Sequence, residues 1–331
     1  MKTRVGVLMG GYSSEFEISH KSGMAVYEAL SQREEYDVFP IHITKESWKV
    51  IAPDSELEID KNDFSVEIAG EKLQFDVLFN AIHGTPGEDG LLQGYLEMMG
   101  IPQTASHHFE SALTFNKAET SSLLSHFGVT IPKSYYSAKG ETVDPKEVID
   151  SLGLPVFVKP NRAGSSFGVS KVDTMDQLIP AVEKAWEEDF QVVIESGIIG
   201  TELACGVVRL EGEIKILGLT EVVTDRDFFD FEAKYSGKSQ EITPARIPDA
   251  IADKIKSETR FIYESLNLAG IARVDYILSN EDQKPYFIEV NSVPGMGGES
   301  IVPKQIAYNQ WEPSEFYHRV LQQTLSDAKS K

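Results

Sequence analysis

Two apolar runs near the C-terminus, Arg273-Val-Asp275-Tyr-Ile-Leu and Tyr286-Phe-Ile-Glu289-Val-Asn291, flank a polar stretch over 279–285. Runs of this length around a polar turn predict an antiparallel hairpin, here centred near Asp282. That register sets Asp275 opposite Glu289. Side chains alternate along a strand, so Arg273 and Asp275 share one face, as do Glu289 and Asn291. Two carboxylates and an amide then converge on one sheet face, and the fold must accommodate them. Facing carboxylates repel unless a cation lies between them. Oxygen donors without Cys or His suit Mg²⁺ carried on nucleotide phosphates. The alternative is a solvated strand face on which Arg273 pairs an acid.

The rest of the chain alternates strand and helix signals. Val5 to Met9 is a short apolar run closed by Gly10-Gly11, and Ile18, Ser22, Ala25, Val26, Ala29 and Leu30 then recur at helical spacing. Ser14-x-x-Glu17 has the form of a capping box at the start of that helix. Residues 36–43 and 75–82 read as further strands, and 91–99 as a helix, whereas 53–72 are polar and acidic and read as an excursion. Strands alternating with helices imply a parallel, doubly wound sheet. Past residue 105 come helical signals up to Phe127, then strand, Gly/Ser loop and strand across 155–172. A helix over 175–188 and a strand over 191–195 follow, and from Thr201 the pattern turns antiparallel. Residues 224–246 form a long polar and aromatic stretch without a period, the kind of segment that is usually functional or mobile.

Composition excludes some functions. With 31 basic and 52 acidic residues the net charge is -21, which argues against a general nucleic-acid binder. The single cysteine, Cys205, permits no internal disulfide and lies in an apolar run, so it reads as a buried small hydrophobe. The N-terminal apolar run is too short for a signal segment or a membrane span, and nothing later approaches one. Cytoplasm is the expected location.

Further residues carry chemistry. Lys159-Pro-Asn-Arg-Ala-Gly164-Ser165-Ser166-Phe-Gly168-Val169 joins two strands, and such a loop can present N–H groups and hydroxyls to phosphate oxygens beside a lysine. It is neither GxxxxGK[ST] nor GxGxxG, so neither common nucleotide fingerprint applies. An ordinary hairpin loop is the competing reading. Lys117 and Lys234 are further cation candidates. Glu17 lies where the first strand meets its helix. His83-Gly-Thr-Pro-Gly-Glu88-Asp-Gly follows an apolar strand, at the carboxyl end where doubly wound sheets bind ligands. Pro294-Gly295-Met-Gly-Gly-Glu-Ser300 follows the acidic strand, and its glycines permit close backbone approach.

In this order the motifs resemble the D-alanine–D-alanine ligase family of the ATP-grasp superfamily. They are Gly10-Gly-Tyr-Ser-Ser-Glu-Phe-Glu17-Ile-Ser, His83-Gly-x-x-Gly-Glu-Asp-Gly, Lys159-Pro-x-x-x-Gly-Ser165-Ser-x-Gly, Glu232-Ala-Lys234-Tyr235, Arg273-x-Asp275 and Glu289-x-Asn291-x-x-Pro-Gly295-Met. The resemblance implies a doubly wound α/β domain over 1–104, then an ATP-grasp fold of two α+β subdomains over 105–199 and 200–331. It implies ATP-dependent joining of two D-alanines for peptidoglycan precursors, in a homodimer. Lys117, Lys159 and Lys234 would hold phosphates with Ser165, Ser166, Gly168 and Val169. The strand at Glu195, Ser196 and Ile198 would border adenine, and Glu202 the ribose. Asp275, Glu289 and Asn291 would hold two Mg²⁺ ions, with Mn²⁺ as a substitute. Glu17 and His83 would face the first D-alanine, with Ser165 and Tyr235 linked to Glu17. Arg273 and the Gly295 N–H would meet the oxyanion, and Ser300 the second carboxylate. Resistance-type D-lactate ligases lack the tyrosine found here at 235, which favours D-alanine. Two positions depart from the family pattern: Ser196, often Lys, and Glu299, which sets a negative charge near the second carboxylate.

Overall fold

The computed structural model describes residues 2–52, 55–224 and 239–330. The first sheet has seven strands: β1 (Thr3–Gly10), β2 (Tyr36–Ile43), β3 (Trp48–Ala52), β4 (Ser55–Asp60), β5 (Ser65–Ile68), β6 (Glu71–Leu73) and β7 (Val77–Asn80). Their order is β6-β5-β4-β3-β2-β1-β7. Only β1 pairs in parallel, with β2 on one side and β7 on the other. From β2 to β6 the pairing is antiparallel. The polar stretch read as an excursion is thus part of the sheet. Its strands are short and turn mostly polar side chains to water, while Ile59, Phe64 and Val66 point inward and are buried. An antiparallel extension with one wet face needs few apolar residues, which is why hydropathy did not reveal it.

Alternation along β1 feeds two cores. Val5, Val7 and Met9 pack with Val26 and Leu30 of α1 (Phe16–Leu30), and Leu8 faces Leu92 and Leu96 of α2 (Leu91–Met98) on the other side. Each such side chain, fully buried, contributes roughly 1.5–3 kcal/mol relative to exposure. This sandwiching fixes where α1 begins, directly beyond the carboxyl end of β1.

After α3 (His108–Phe115) and α4 (Lys117–His126), a second sheet is built from β8 (Ser134–Ala138), β9 (Val156–Pro160), β10 (Ser170–Val172) and β11 (Gln191–Ser196), ordered β10-β9-β11-β8. Helices α5 (Pro145–Leu152) and α6 (Leu178–Glu188) cover one face through Val148, Leu152, Leu178 and Val182. The third sheet runs β14-β13-β12-β15-β16, with β12 (Gly200–Leu210), β13 (Glu213–Thr224), β14 (Ser239–Ile242), β15 (Ile271–Ser279) and β16 (Pro285–Asn291). Its core packs on α7 (Asp249–Ser265) through Ile255, Ile262 and Tyr263. Helices α8 (Ile301–Tyr308) and α9 (Pro313–Lys329) follow, and α9 returns to the first sheet. Phe316, Tyr317, Val320 and Leu321 share a core with β1 and α1, a closure that sequence periodicity does not show.

The hairpin pairs as expected: Asp275 lies opposite Glu289 and Arg273 opposite Asn291. A bulge interrupts it between Asp275 and Tyr276, so that Tyr276 pairs with Phe287 and Ile288 is the extra residue. A bulge resets the alternation of one strand and re-aims its side chains. Here it lets Ile288 and Glu289, adjacent in sequence, both line the same cleft, while Phe287 is buried in the core.

Candidate active site

The second and third sheets face each other across this cleft. Its walls bring together Lys117, Lys159, Ser166, Val169, Glu195, Ser196, Ile198, Glu202, Arg273, Asp275 and Glu289. Lys159, at the end of β9, donates to Glu195 Oε2 at 2.6 Å. Burial opposes the lysine's charge, but Glu195, reinforced by Glu289 and Glu202, outweighs it and raises the lysine pKa. Lys117 opens α4, donates to the Ala163 carbonyl at 2.6 Å and stands 3.3 Å from Glu289 Oε2. Two cations thus share the cleft with the carboxylates of β11 and β16.

The glycine/serine loop is braced from behind. Arg162 bonds both carboxylate oxygens of Asp189, and buried Asn161 accepts the Ala118 N–H, tying the loop to α4. Ser165 and Ser166 both adopt left-handed backbone, at φ 48° and 60°, a conformation uncommon for non-glycine residues. Gly168 turns away: a Cβ there would meet Pro160 and Glu188, so it serves the turn and does not line the cleft.

On the paired strands, Arg273 donates to both oxygens of Asp275 at 2.7 Å, and Asn291 Nδ2 donates to Asp275 Oδ2 at 3.0 Å. The pairing of Arg273 with an acid is thus present on this face, where Asp275 and Glu289 line the same cleft. The acids converge, and Arg273 pairs one of them. Among the described residues no group of three or more His, Cys, Asp and Glu side chains is arranged to hold a metal by itself. Two carboxylates and an amide fit an ion whose remaining ligands are phosphate oxygens.

A second cavity adjoins the first and shares Arg273 and Gly164 with it. It is lined by Glu15, His83, Glu88, Ser165, Gly295 and Ser300, with Asn291 and Glu241. The acidic residue here is Glu15, which corrects the expectation for Glu17. The helix starts at Phe16 with Glu15 as its N-cap, and no side chain caps it, so the Ser14–Glu17 capping box does not form. Glu17 falls on the exposed side of the first turn, whereas Glu15 is buried and accepts a short hydrogen bond from the Ser165 hydroxyl. A Cβ at Gly164 would lie 2.5 Å from Glu15 Oε2, so a larger residue there would displace the Glu15 carboxylate.

Glu88 is buried beside Glu15 and accepts the Gly84 N–H at 2.7 Å. Burial, then the charge of Glu15, pushes its pKa up. His83 Nε2 lies 3.0 Å from the hydroxyl of Ser22, on the buried face of α1. Burial, then Arg273, depresses the His83 pKa to about 4, against a backbone bond to Val293 that favours the charged ring. Ser300 is the N-cap of α8, and a Cβ at Gly295 would stand 2.6 Å from its hydroxyl. Glu299 lies at the rim of this cavity, fully exposed and 3.9 Å from Lys304.

Family models cover most of this architecture. The one described as D-ala D-ala ligase N-terminus matches residues 4–106, and the one described as D-ala D-ala ligase C-terminus matches 123–322. The chain belongs to the D-alanine–D-alanine ligase family. It is an ATP-dependent ligase of α/β, ATP-grasp architecture. A D-alanine–D-alanine ligase of Flavobacterium johnsoniae is 50% identical over 91% of this chain and 93% of its own length. One from Parabacteroides distasonis is 42% identical over the full length of both. Among solved structures, D-alanyl-alanine synthetase A of Vibrio cholerae superposes with a TM-score of 0.88 at 29% identity, covering 98% of this chain and 99% of that one. The VanG D-Ala:D-Ser ligase of Enterococcus faecalis does so at 0.85 and 29%, covering 98% and 100%.

Lys234 and Tyr235 lie outside the described residues, as does most of the 224–246 segment. Sequence reasoning passed over Glu15, Glu88, Ser22, Phe157 and Ile288. Glu15 and Glu88 stood inside the quoted motifs, and only the helix boundary could separate Glu15 from Glu17. Cys205 is a buried residue of β12, where burial raises its thiol pKa to about 12, in keeping with an inert role.

Proposed function

We propose that this ligase forms D-alanyl-D-alanine through an acyl phosphate, with the two adjoining cavities taking ATP and the amino acids respectively. The observation that carries this reading is the shared border. Arg273 and the Ser165–Ser166 loop touch both cavities, so a γ-phosphate in one lies next to a carboxylate in the other.

In this reading the adenine lies between Phe157 and Ile288, along the strand at Glu195, Ser196 and Ile198, with Glu202 at the ribose. Lys117, Lys159 and Lys234 neutralise phosphate charge with Ser165, Ser166 and Val169, since phosphoryl transfer is governed by positioning and electrostatics. Asp275, Glu289 and Asn291 would hold Mg²⁺ (or Mn²⁺), which supplies charge neutralisation at the phosphates. Glu15 takes the role expected of Glu17, facing the ammonium of the first D-alanine, with Tyr235 completing the group. A carboxylate oxygen of that D-alanine attacks the γ-phosphorus and ADP leaves. The amine of the second D-alanine, deprotonated and held by its carboxylate at Ser300, attacks the acyl carbon. Arg273 and the Gly295 N–H stabilise the tetrahedral oxyanion; the carbon–oxygen bond to phosphate then breaks, and the proton lost from the amine leaves with the phosphate as the amide forms.

The same reading places the enzyme in the cytoplasm as a homodimer, divided at 104/105 and 199/200. No helix among the described residues is long and apolar enough to cross a membrane. The deciding experiment measures phosphate release from ATP with D-alanine, L-alanine, D-lactate and D-alanine plus D-serine, with and without Mg²⁺. Release is expected with D-alanine and the metal together. Turnover that needs a different second substrate would overturn the assignment.

A further inference from the structure

We infer that Gln305 is a positioning residue for the second amino acid: it sets the height of α8 on the third sheet, and with it Ser300 at the start of that helix. The inference rests on the role of Ser300 proposed above. Gln305 is a fully buried polar side chain on the inner face of α8. Its Nε2 donates to the Ala204 carbonyl of β12 and to the Thr220 hydroxyl oxygen of β13, each at 3.0 Å. Both strands are cleared to admit it. Gly206 and Gly218 stand opposite each other in the β12–β13 pair, at a register shift between Gly206 and Val207. A Cβ at Gly206 would lie 2.0 Å from Gln305 Oε1, and one at Gly218 would lie 3.3 Å from its Cγ. A side chain at 206 would therefore push the amide out of its slot. Among the described residues Oε1 has no hydrogen-bond partner, although it is buried. An unpaired buried acceptor is costly, and an apolar side chain of the same length would fill the slot without it. What the glutamine adds is direction.

The two hydrogens of Nε2 go to two neighbouring strands, and Thr220 Oγ1 in turn shares a 2.6 Å hydrogen bond with Thr243, just past β14. Other inner side chains of α8 are apolar: Ile301 packs with Ala204 and Val222, and Val302 and Ile306 share a core with Leu217. Apolar contact is non-directional and tolerates sliding. A hydrogen bond does not, because a slip of one helical residue, about 1.5 Å along the axis, takes donor and acceptor out of range. Lys304 bonds Glu241 at a partly exposed edge, and Asn309 bonds the Leu217 carbonyl past the last turn. Gln305 is the tie shielded from water beneath the first turns. Ser300 lies five residues ahead of it, at the amino-acid cavity. The nucleotide side depends on it less, since β12 is also held by its ladders to β13 and β15.

The test is Gln305→Met in the full chain, which keeps the side-chain length and removes both donors. With Ser300 displaced, the second amine is misplaced and the acyl phosphate persists. Water then attacks the acyl carbon in the amine's place and returns D-alanine and phosphate. Phosphate released per dipeptide formed should rise from about one to about two or more, and KM for D-alanine about 10-fold, while KM for ATP changes less than about twofold. A merely structural glutamine would lower the melting temperature and the active fraction but leave the ratio at the wild-type value. Thr220→Val removes one acceptor and should move the same quantities in the same direction, whereas Thr220→Ser keeps the oxygen and should match the wild type. The threonine variants carry the test if Gln305→Met does not fold. A ratio or a D-alanine KM that stays at the wild-type value in the folded Gln305→Met or Thr220→Val protein, an equal rise in KM for ATP, or a Thr220→Ser variant as impaired as Thr220→Val would each overturn the inference. The wild type alone tests the reaction, since it must release phosphate with D-alanine; the variants, read against it, test Gln305.

Discussion

Replacing Lys159 with methionine should unfold this protein more readily before it does anything to catalysis. The lysine and Glu195 have side chains only 13% and 6% exposed and meet at 2.6 Å. Removing one partner of a buried pair strands the other charge, at a cost of about 3–5 kcal/mol. The unfolding entropy of a chain of 331 residues, near 0.7 kcal/mol/K at midpoint, converts this to a melting temperature lower by roughly 4–7 °C. The double variant Lys159→Met/Glu195→Met leaves no stranded charge and should recover most of that loss, because buried pairs and apolar isosteres are often equivalent. ATP affinity should not recover, since a phosphate-facing cation is missing in both. Thermal melts followed by circular dichroism and ATP titration by calorimetry separate the two effects. A single variant that melts like the wild type, or a double variant that melts as low as the single, would show that no charge is stranded at this pair.

Two further outcomes follow from the second cavity. Glu15→Gln should lose D-alanine-dependent turnover by at least about 100-fold, whereas Glu17→Gln, altered on an exposed helix turn, should stay within about twofold. Steady-state kinetics on both decide which glutamate faces the substrate; the opposite pattern would restore Glu17. For His83, the folded pKa of about 4 lies below the unfolded 6.5. The unfolded state therefore binds the proton first, and stability should decline as pH falls from about 6.5 to 4, by up to ~3 kcal/mol from this residue. Denaturant unfolding across that range should show the decline, and His83→Gln should flatten its share. Equal slopes in the two proteins would show that burial does not hold the ring neutral.

Much of the site was legible because it depends on spacing along single elements. The hairpin register followed from the symmetry of two apolar runs about a polar turn, and Asp275 does stand opposite Glu289. The lysine at the end of β9 and the serine loop after it were local in the same way. Period-two and period-3.6 patterns report which side of an element is buried, and that sufficed for β1, α1 and the α7-backed sheet. What spacing did not decide was the choice between neighbours. Glu15 and Glu17 are two residues apart, and which one is buried turns on a helix start set by α1 packing between β1 and α9. Ile288 and Glu289 reach the same cleft only because a bulge shifts the strand's phase, and nothing in the composition of 285–291 announces it. Ser22 sits at helical spacing with apolar residues and reads as filler, yet its partners lie 61 and 274 positions away. The sequence by itself determined which chemistries are present and on which elements. The tertiary structure alone decided which of two adjacent side chains meets the substrate, because that depends on contacts between segments far apart in the chain.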